Sequence, residues 1–282
     1  MWLASYPKSG NTWLRALLST YFYSSNGVFD LSLLSKIYQF PQKKFFFEYK
    51  KKFPNVFDTA EFWIDAQKKI NSDKNFRLFK THNAYLDINN FSFTNNKNTS
   101  GCIYIVRDPR NVITSIKNHY EHNYKEALTF MTNDKGLLYD KIDDNFVNFQ
   151  FLSSWSNHYK SWVDSNQFPV KIVRYEDLEV KPLEVLSETI NFINSVAKFN
   201  KSFDYDKGLK CVESTTFDKL QKLENDFGFL EAPLGQNTKK KIKFFNLGKK
   251  NNWQKILPKN TLNEMNKIFQ DDLKKWGYKL ND

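Results

Sequence analysis

Short apolar runs, separated by segments with helical spacing, make up most of this chain. Cys102–Val106 is apolar at every position, as expected for a strand that is covered on both faces of a parallel sheet. Similar runs predict strands at 1–4, 76–83 and 170–175. After three of these runs, apolar residues recur at the spacing of a helix that packs on one face. The alternation predicts an α/β fold of three layers, with a central, mostly parallel sheet flanked by helices.

The remaining segments carry weaker patterns. Residues 24–75 are rich in phenylalanine and lysine, and predict short helices that pack over the first strand and helix. A polar connection is expected over 133–145, followed by a helix over 146–162. Apolar positions near 262–273 predict a final amphipathic helix. No internal repeat or change of composition divides the chain, so we expect a single domain over residues 1–282.

The composition narrows the class of protein. The chain has 282 residues, of which 40% are hydrophobic and 17% aromatic, enough for a sizeable core. A net charge of +11 favours anionic partners, namely nucleotides, nucleic acid or membrane surfaces, and does not choose among them. Cys102 and Cys211 show neither a disulfide framework nor zinc spacing, which favours a reducing compartment. We predict a cytoplasmic location, because no signal peptide and no apolar stretch long enough for a membrane span is evident.

The segment Ser5–Trp13 has the chemistry of an anion site. A strand that turns sharply into a helix exposes unpaired backbone N–H groups at the positive end of the helix dipole. Lys8 adds a full charge, Ser9 and Thr12 add hydroxyl donors, and Gly10 allows close approach of a ligand. The usual nucleotide-binding loop has its lysine after the last glycine, whereas here the lysine precedes the only glycine. A plain strand-to-helix turn has the same local pattern.

Polar residues also stand at the carboxyl ends of the other predicted strands, where α/β sheets bind ligands. They are Lys80 with His82, Arg107, and Tyr175. Ser115 lies two turns into the helix that follows Arg107, so both side chains are within reach of one phosphate. The alternative interpretation is that Arg107 forms a salt bridge within the protein and that the Ser115 side chain is solvated.

Together these segments resemble the sulfotransferases that use 3′-phosphoadenosine-5′-phosphosulfate (PAPS), particularly the cytosolic type. The resemblance covers almost the whole chain, and it implies a P-loop-like form of the three-layer fold. The motifs stand in the expected order: Tyr6–Trp13 for the 5′-phosphosulfate loop, Lys80–His82 for the catalytic segment, Ile105–Val112 with Ser115 for the 3′-phosphate, Tyr175–Asp177, Thr215–Phe217 near the adenine, and Gly248 with Trp253 in the C-terminal loop.

The resemblance implies PAPS as co-substrate, 3′-phosphoadenosine-5′-phosphate (PAP) as product, and no metal. Lys8 then neutralises the leaving phosphate and can donate a proton to it, Lys80 lies near the sulfonate, and His82 is the general base. The acceptor would be a hydroxyl, or an amine, of a small molecule, lipid or sugar, and no nucleic acid partner is expected. The implied cofactor-binding residues are Lys8, Ser9, Gly10, Asn11, Thr12, Trp13, Arg107, Ser115, Tyr175, Thr215, Thr216, Phe217, Gly248 and Lys249.

Two positions depart from the family pattern. Asn11 stands where a hydroxyl residue is usual, and we expect its amide to donate to a phosphate oxygen instead. The C-terminal loop usually carries Arg-Lys-Gly, whereas here it reads Asn246-Leu247-Gly248, so the arginine that clamps the 3′-phosphate is missing. Point charges are available as substitutes, though without the fork of a guanidinium. The candidates are Lys243, Lys249 and Lys250.

Other interpretations stay open at this point. A P-loop kinase or NTPase would need a Mg²⁺-binding carboxylate, for which Asp108 is the candidate. A nucleic-acid-binding module would use the net charge and the phenylalanine and lysine residues of 24–75. A family member could also bind the nucleotide without catalysis. We expect the acceptor pocket to come from 24–75, 83–100 and 124–146, with an aromatic-rich lining, and His119 and His122 to be surface residues.

Overall fold

The computed structural model describes residues 1–235 and 238–280 of the chain. Its strands are β1 Trp2–Ser5, β2 Tyr38–Gln39, β3 Phe79–Thr81, β4 Asp87–Ile88, β5 Phe91–Ser92, β6 Cys102–Val106, β7 Leu137–Ile142, β8 Asn145–Phe151 and β9 Val170–Arg174. Its α-helices are α1 Asn11–Tyr23, α2 Trp63–Ile70, α3 Pro109–His119, α4 Tyr124–Thr132, α5 Trp155–Val163, α6 Tyr175–Val180, α7 Pro182–Ala197, α8 Tyr205–Ser214, α9 Phe217–Phe227, α10 Trp253–Ile256, α11 Lys259–Ile268 and α12 Gln270–Lys275. Short 3₁₀-helices lie at Leu31–Lys36, Lys43–Phe45, Ala60–Phe62 and Gly248–Lys250.

The central sheet has the strand order β2-β3-β1-β6-β9, and every neighbouring pair in it is parallel. β1 lies in the middle, with Leu3 beside Lys80 of β3 on one side and Ile103 of β6 on the other. Parallel neighbours require crossover connections, and helices supply them after β1, β2 and β6. The predicted α/β fold with a mostly parallel sheet is confirmed.

Two hydrophobic cores cover the two faces of this sheet. Trp2 and Tyr104 belong to one core, together with apolar residues of α3, α5, α11 and α12. Leu3 and Ile103 belong to the other, together with residues of α1, α7 and α8. Neighbouring positions of a strand point to opposite faces, so each strand of a sheet covered on both sides becomes a continuous apolar run. This is the pattern that predicted the strands and the three layers.

The helix predicted over 146–162 is wrong in its first half. Asn145–Phe151 is instead strand β8, which pairs antiparallel with β7, and α5 begins only after its N-cap Ser154. Val147 and Phe149 are buried, so the burial of this segment follows a two-residue period. Aromatic residues three positions apart imitated a helical period here, whereas a period of two places the buried side chains on one face of a hairpin.

In addition to β8 and to the short hairpin of β4 and β5, two further strands lie where the sequence predicted none. β7 occupies most of the connection that was expected over 133–145. β2 falls within 24–75 and pairs with β3 at the edge of the sheet through two residues, of which Tyr38 is exposed. Short, partly exposed strands lack an apolar run, so neither pattern was visible. The short helices expected in 24–75 are present as α2 and three of the 3₁₀-helices. Within the described ranges, no helix is long and apolar enough to cross a membrane.

A buried ion pair fixes the start of α3. Asp108 caps this helix by accepting the backbone N–H of Arg110 at 2.9 Å, and its carboxylate accepts from Arg110 Nη2 at 2.7 Å. Arg110 also donates to the carbonyl of Lys279 at 2.7 Å, and its guanidinium lies 3.8 Å from the ring centroid of Trp253. The pair therefore joins the helix that follows β6 to the C-terminal segment of the chain.

We expect Arg110→Ala to destabilise the protein by about 3–5 kcal/mol, because it leaves the buried Asp108 carboxylate without the positive charge that balances it. Urea denaturation followed by fluorescence measures this loss. Lys181→Ala is the control, since it removes an ion pair with Glu184 in which both side chains are exposed, and surface pairs contribute little. Equal losses in the two variants would contradict the assignment of Arg110 as a structural anchor.

Candidate active site

A cavity of about 420 Å³ lies beyond the carboxyl ends of β1, β3, β6 and β9. Parallel strands end at one edge of the sheet, which brings distant motifs together there. Most residues predicted at the site line this cavity: Lys8, Gly10, Asn11, Thr12, Trp13, Lys80, His82, Arg107, Ser115, Tyr175, Phe217 and Gly248. Ser9, Thr215, Thr216 and Lys249 are not among its lining residues.

The loop between β1 and α1 has the backbone of an anion cradle. Lys8 and Gly10 have left-handed φ angles of 67° and 103°, and a Cβ at Gly10 would lie 2.4 Å from the ring of Tyr175. A side chain at this position is therefore excluded twice, by the dihedral angle and by the ring. No side chain caps the N-terminus of α1, which leaves its first N–H groups for a ligand.

Lys8 is packed against two residues that hold its amino group in the cavity. Its Nζ lies 3.2 Å from His119 Nδ1 and 3.9 Å from the centroid of the Phe244 ring. Burial, together with the neighbouring Lys80 and Arg107, lowers the pKa of Lys8 to about 7. Burial and Lys8 lower the pKa of His119 to about 3, so His119 is neutral and Nδ1 accepts the hydrogen bond.

The prediction that His119 is a surface residue is therefore wrong. His119 lies one turn after Ser115 on α3, and both side chains line the cavity. The spacing of four residues carried this information, because positions i and i+4 of a helix share a face. His122 is partly exposed and lies 3.9 Å from Glu126.

Lys80 lies in β3, and His82 directly follows the last residue of this strand. His82 Nδ1 lies 2.7 Å from the carbonyl oxygen of Ser5, which can only accept, so Nδ1 carries the proton and Nε2 holds the lone pair of the neutral ring. The backbone N–H of His82 donates to Gln150 Oε1 at 2.8 Å, so the β7–β8 hairpin helps to fix its position. Burial, followed by Lys80, lowers the pKa of His82 well below its usual value, and burial lowers that of Lys80.

Arg107 and Ser115 have unused hydrogen-bonding capacity next to the loop. Arg107 Nη1 donates to the carbonyl of Lys8 at 3.2 Å, and its guanidinium lies 3.8 Å from the ring centroid of Tyr175. Among the residues that the structure describes, its buried Nε has no hydrogen-bond partner, and neither has the buried Oγ of Ser9 behind the cavity lining. Ser115 Oγ accepts from Asn251 Nδ2 at 3.0 Å, which leaves its hydroxyl proton available. Buried donors without partners are rare in folded proteins and indicate a ligand.

The two departures from the family pattern are resolved differently. The amide of Asn11 donates to the Leu3 carbonyl at 3.1 Å and to Ser5 Oγ at 3.2 Å. The expectation that it donates to a phosphate is therefore wrong, because both of its donors hold the end of β1. The three lysines considered as substitutes for the missing arginine are all exposed; Lys243 lines the cavity, whereas Lys249 and Lys250 do not.

The adenine-side motif is only partly in the cavity. Phe217 begins α9 and lines the cavity. Gly248 lies against it, since a Cβ at this glycine would be 2.6 Å from the Phe217 ring. Thr215 is buried, and its hydroxyl donates to the carbonyl of Cys211 within the preceding helix. Phe217 and Gly248 thus form the contact surface of this wall.

Glu231 belongs to the site but was not predicted from the sequence. Its carboxylate lies 3.2 Å from Lys80 Nζ, accepts from Thr12 Oγ1 at 3.4 Å, and also pairs with the buried Arg15. Burial opposes its ionisation, but Lys80 and Arg15 hold the pKa of Glu231 well below its usual range. Glu231 stands in a loop without an apolar period, and more than 200 residues separate it from Thr12 and Arg15. No local pattern pointed to it.

The cavity lining outside the predicted nucleotide motifs is less aromatic than expected. Of the three segments expected to supply the acceptor pocket, 24–75 supplies Gln39, 124–146 supplies β7 residues, and 83–100 supplies none of the described lining residues. This part of the lining combines four amides and a carboxylate with two tyrosines and one aliphatic side chain: Gln39, Asn118, Tyr120, Leu138, Tyr139, Asp140, Asn148 and Gln150.

Asp108, the carboxylate that a Mg²⁺-dependent NTPase would need, has other partners. Both of its oxygens bond to Arg110, and its backbone N–H donates to Glu176. It is also absent from the cavity lining. Its position is that of a helix cap. In the part of the chain that the structure describes, no group of three or more His, Cys, Asp or Glu side chains is arranged to hold a metal ion.

Comparison with known proteins identifies the family of the chain. The model of the sulfotransferase domain family matches residues 1–277. The flavonol 3-sulfotransferase of Flaveria bidentis is 23% identical over 99% of this chain and 83% of its own length. Cytosolic sulfotransferase 17 of Arabidopsis thaliana is 23% identical over 98% of this chain and 75% of its own length.

Solved structures share the fold. The mouse sulfotransferase SULT7A1 in complex with PAP has a TM-score of 0.55 and 16% identity, covering 96% of this chain and 83% of the mouse chain. Retinol dehydratase in complex with androsterone and the inactive cofactor PAP has the same TM-score and identity, covering 97% and 80%. The P-loop-like form of the three-layer fold is thereby confirmed. Because the family model extends over nearly the whole chain, the protein belongs to the sulfotransferase family, and its resemblance to the PAPS-dependent sulfotransferases is confirmed.

Proposed function

We propose that this enzyme transfers a sulfonate group from PAPS to a hydroxyl, or less readily an amine, of an acceptor. The observation that carries the proposal is a set of donors around one cavity: Arg107 Nε and the uncapped N-terminus of α1, which have no partner among the described residues, and the amino groups of Lys8 and Lys80. Such donors fit a ligand with two phosphate groups, and two related folds were solved with PAP. At 16% identity, these structures show only that the fold is shared. The binding of PAPS to this chain is therefore part of the proposal.

PAPS supplies an activated sulfonate on its 5′-phosphate. In the proposed arrangement, Lys8, Thr12 and the N–H groups at the start of α1 hold the 5′ end. Arg107 and Ser115 hold the 3′-phosphate, with Lys243 as a nearby point charge in place of the missing arginine. Phe217 and Trp13 flank the base. These roles are supported by the shared cavity.

His82 is the proposed general base. Its Nδ1–H is held by the Ser5 carbonyl, which leaves Nε2 to take the proton of the acceptor group. A lowered pKa keeps the ring neutral, as a base must be before the reaction. Lys80 neutralises negative charge on the sulfonate, and Lys8 stabilises the leaving phosphate and can donate a proton to it. The acceptor oxygen or nitrogen and the leaving phosphate would thereby lie on opposite sides of the sulfur. The sulfonate would pass directly between them, without a covalent intermediate on the protein.

The acceptor that we propose is a small molecule, lipid or saccharide that carries polar groups. Amide and carboxylate side chains that line the same cavity as His82, such as Gln39, Asn148 and Asp140, favour hydroxyl-bearing acceptors over purely apolar ones. We propose that nucleic acid is not a partner, because the basic residues that the mechanism uses lie inside a cavity and not along a surface groove. The name of the cytosolic plant relative supports a cytoplasmic location.

His82→Ala is expected to lower the rate of PAP formation from PAPS by about 10²–10⁴-fold, the usual contribution of a general base. The assay uses a panel of phenols, alcohols, amines and saccharides. The affinity for PAP should stay unchanged, which separates catalysis from nucleotide binding. His122→Ala is the matched control, because His122 does not line the cavity. A His82→Ala enzyme with full activity would refute the base assignment, and a native chain that binds PAP but shows no turnover with any acceptor would indicate a non-catalytic member.

The affinity for PAP should fall as the pH rises above about 7, the pKa of Lys8 in the empty enzyme. Below this pH Lys8 is charged, whereas above it Lys8 is neutral and must take up a proton to pair with a phosphate. The dissociation constant then rises by up to about tenfold per pH unit until the pKa of the complex is reached. Calorimetric titration across this range, in buffers of different ionisation enthalpy, measures both the affinity and the proton uptake.

Lys8→Met is the control for the pH dependence. It should bind PAP more weakly at pH 7 and lose the part of the pH dependence that begins there. Lys80, whose pKa is also lowered, remains in this variant and provides the background. An unchanged pH profile in Lys8→Met would show that another group is responsible.

A further inference from the structure

The loop between α9 and the C-terminal wall brings a carboxylate into the cation cluster of the active site. Glu231 Oε2 lies 3.2 Å from Lys80 Nζ and 3.4 Å from Thr12 Oγ1, and Oε1 pairs with Arg15. Arg15 and Lys80 are only 3% and 5% exposed, whereas the Glu231 side chain is 31% exposed. Glu231 is therefore the most exposed of these three side chains.

Internal contacts hold this loop against the cavity. Glu224 of α9 accepts the backbone N–H groups of Phe244 and Phe245 at 2.6 Å and 2.8 Å. Phe229 packs on the same two rings, with centroid distances of 4.7 Å and 5.2 Å. Phe244 in turn lies over the amino group of Lys8. Glu231 thus stands on a segment whose two ends are fixed beside the proposed nucleotide site.

Two of the three groups that bind Glu231, Lys80 and Thr12, are proposed to bind the phosphosulfate end of the nucleotide. Lys80 and Thr12 donate to its carboxylate, and phosphate and sulfonate oxygens accept from the same donors. A phosphate or sulfonate bound by these donors would lie close to the Glu231 carboxylate, and the two anions would repel each other. A nucleotide that binds here must either displace the carboxylate or accept its repulsion, and both reduce affinity.

We propose that Glu231 is an internal competitor for the 5′ end of the nucleotide, which neutralises Lys80 and Arg15 in the empty enzyme and yields its place when PAPS binds. This inference rests on the proposed function. It makes Glu231 a determinant of ligand affinity that acts at one end of the site, since none of its contacts involves the 3′-phosphate residues Arg107 and Ser115.

The test measures dissociation constants for three nucleotides by calorimetry. Glu231→Gln should bind PAP and adenosine 5′-monophosphate about tenfold more tightly than the native enzyme, because one opposing charge is removed. Adenosine 3′-monophosphate should bind with unchanged affinity. Glu188→Gln is the matched control: it makes the same change of charge in a surface pair with Lys171, and should alter none of the three.

Several results would overturn the inference. Equal or weaker binding of adenosine 5′-monophosphate by Glu231→Gln would show that the carboxylate positions the lysines for the ligand, and equal gains for both monophosphates would show a general charge effect. If Glu231→Gln is unstable because Arg15 loses its partner, the double variant with Arg15→Met is compared with Arg15→Met alone, and the same difference between monophosphates is expected. A native enzyme that does not bind PAP would refute the proposed function, whereas native binding without a gain in Glu231→Gln would refute only this inference.

Discussion

Several cationic side chains are buried close together at one edge of the sheet, and the arrangement of the site depends on how their repulsion is balanced. Burial and mutual repulsion lower the pKa of Lys8, and burial lowers that of Lys80. Glu231 opposes both effects, and a neutral His119 accepts a hydrogen bond from Lys8 without adding charge. An anion in the cavity would relieve the same repulsion. The free energy that is lost by burying these charges in the empty enzyme would then be partly regained when a phosphate-bearing ligand binds.

The order of the strands is what brings the cations together. β1 lies between β3 and β6, so the loop with Lys8, the segment with Lys80 and the strand end before Arg107 are immediate neighbours. Burial of both faces of the sheet fixes this register, since a shift by one residue would exchange the two cores. The ion pair of Asp108 with Arg110 then sets the start of α3. The hydrophobic pattern of the chain and the chemistry of the site are thus two consequences of one topology.

The sequence predicted the parts of the molecule that depend on local pattern, and not those that depend on distant partners. The central strands have continuous apolar runs, and the motifs around Lys8, Lys80 and Arg107 follow strands whose ends must meet. The hairpin β7–β8 was missed because its aromatic spacing suits a helix as well. Glu231 was missed because its partners are far away in sequence, and the amide of Asn11 was misassigned because its acceptors are set by the tertiary fold.

The central claim is that this cavity is built for a nucleotide with phosphates at both the 3′ and 5′ positions, held by lysines and helix N–H groups. Thermal unfolding of the full chain with PAP, and separately with ATP and Mg²⁺, tests it most directly, because a ligand that binds only the folded state raises the unfolding temperature. The account predicts a concentration-dependent rise with PAP and little change with ATP and Mg²⁺. Stabilisation by ATP and Mg²⁺ alone would contradict it.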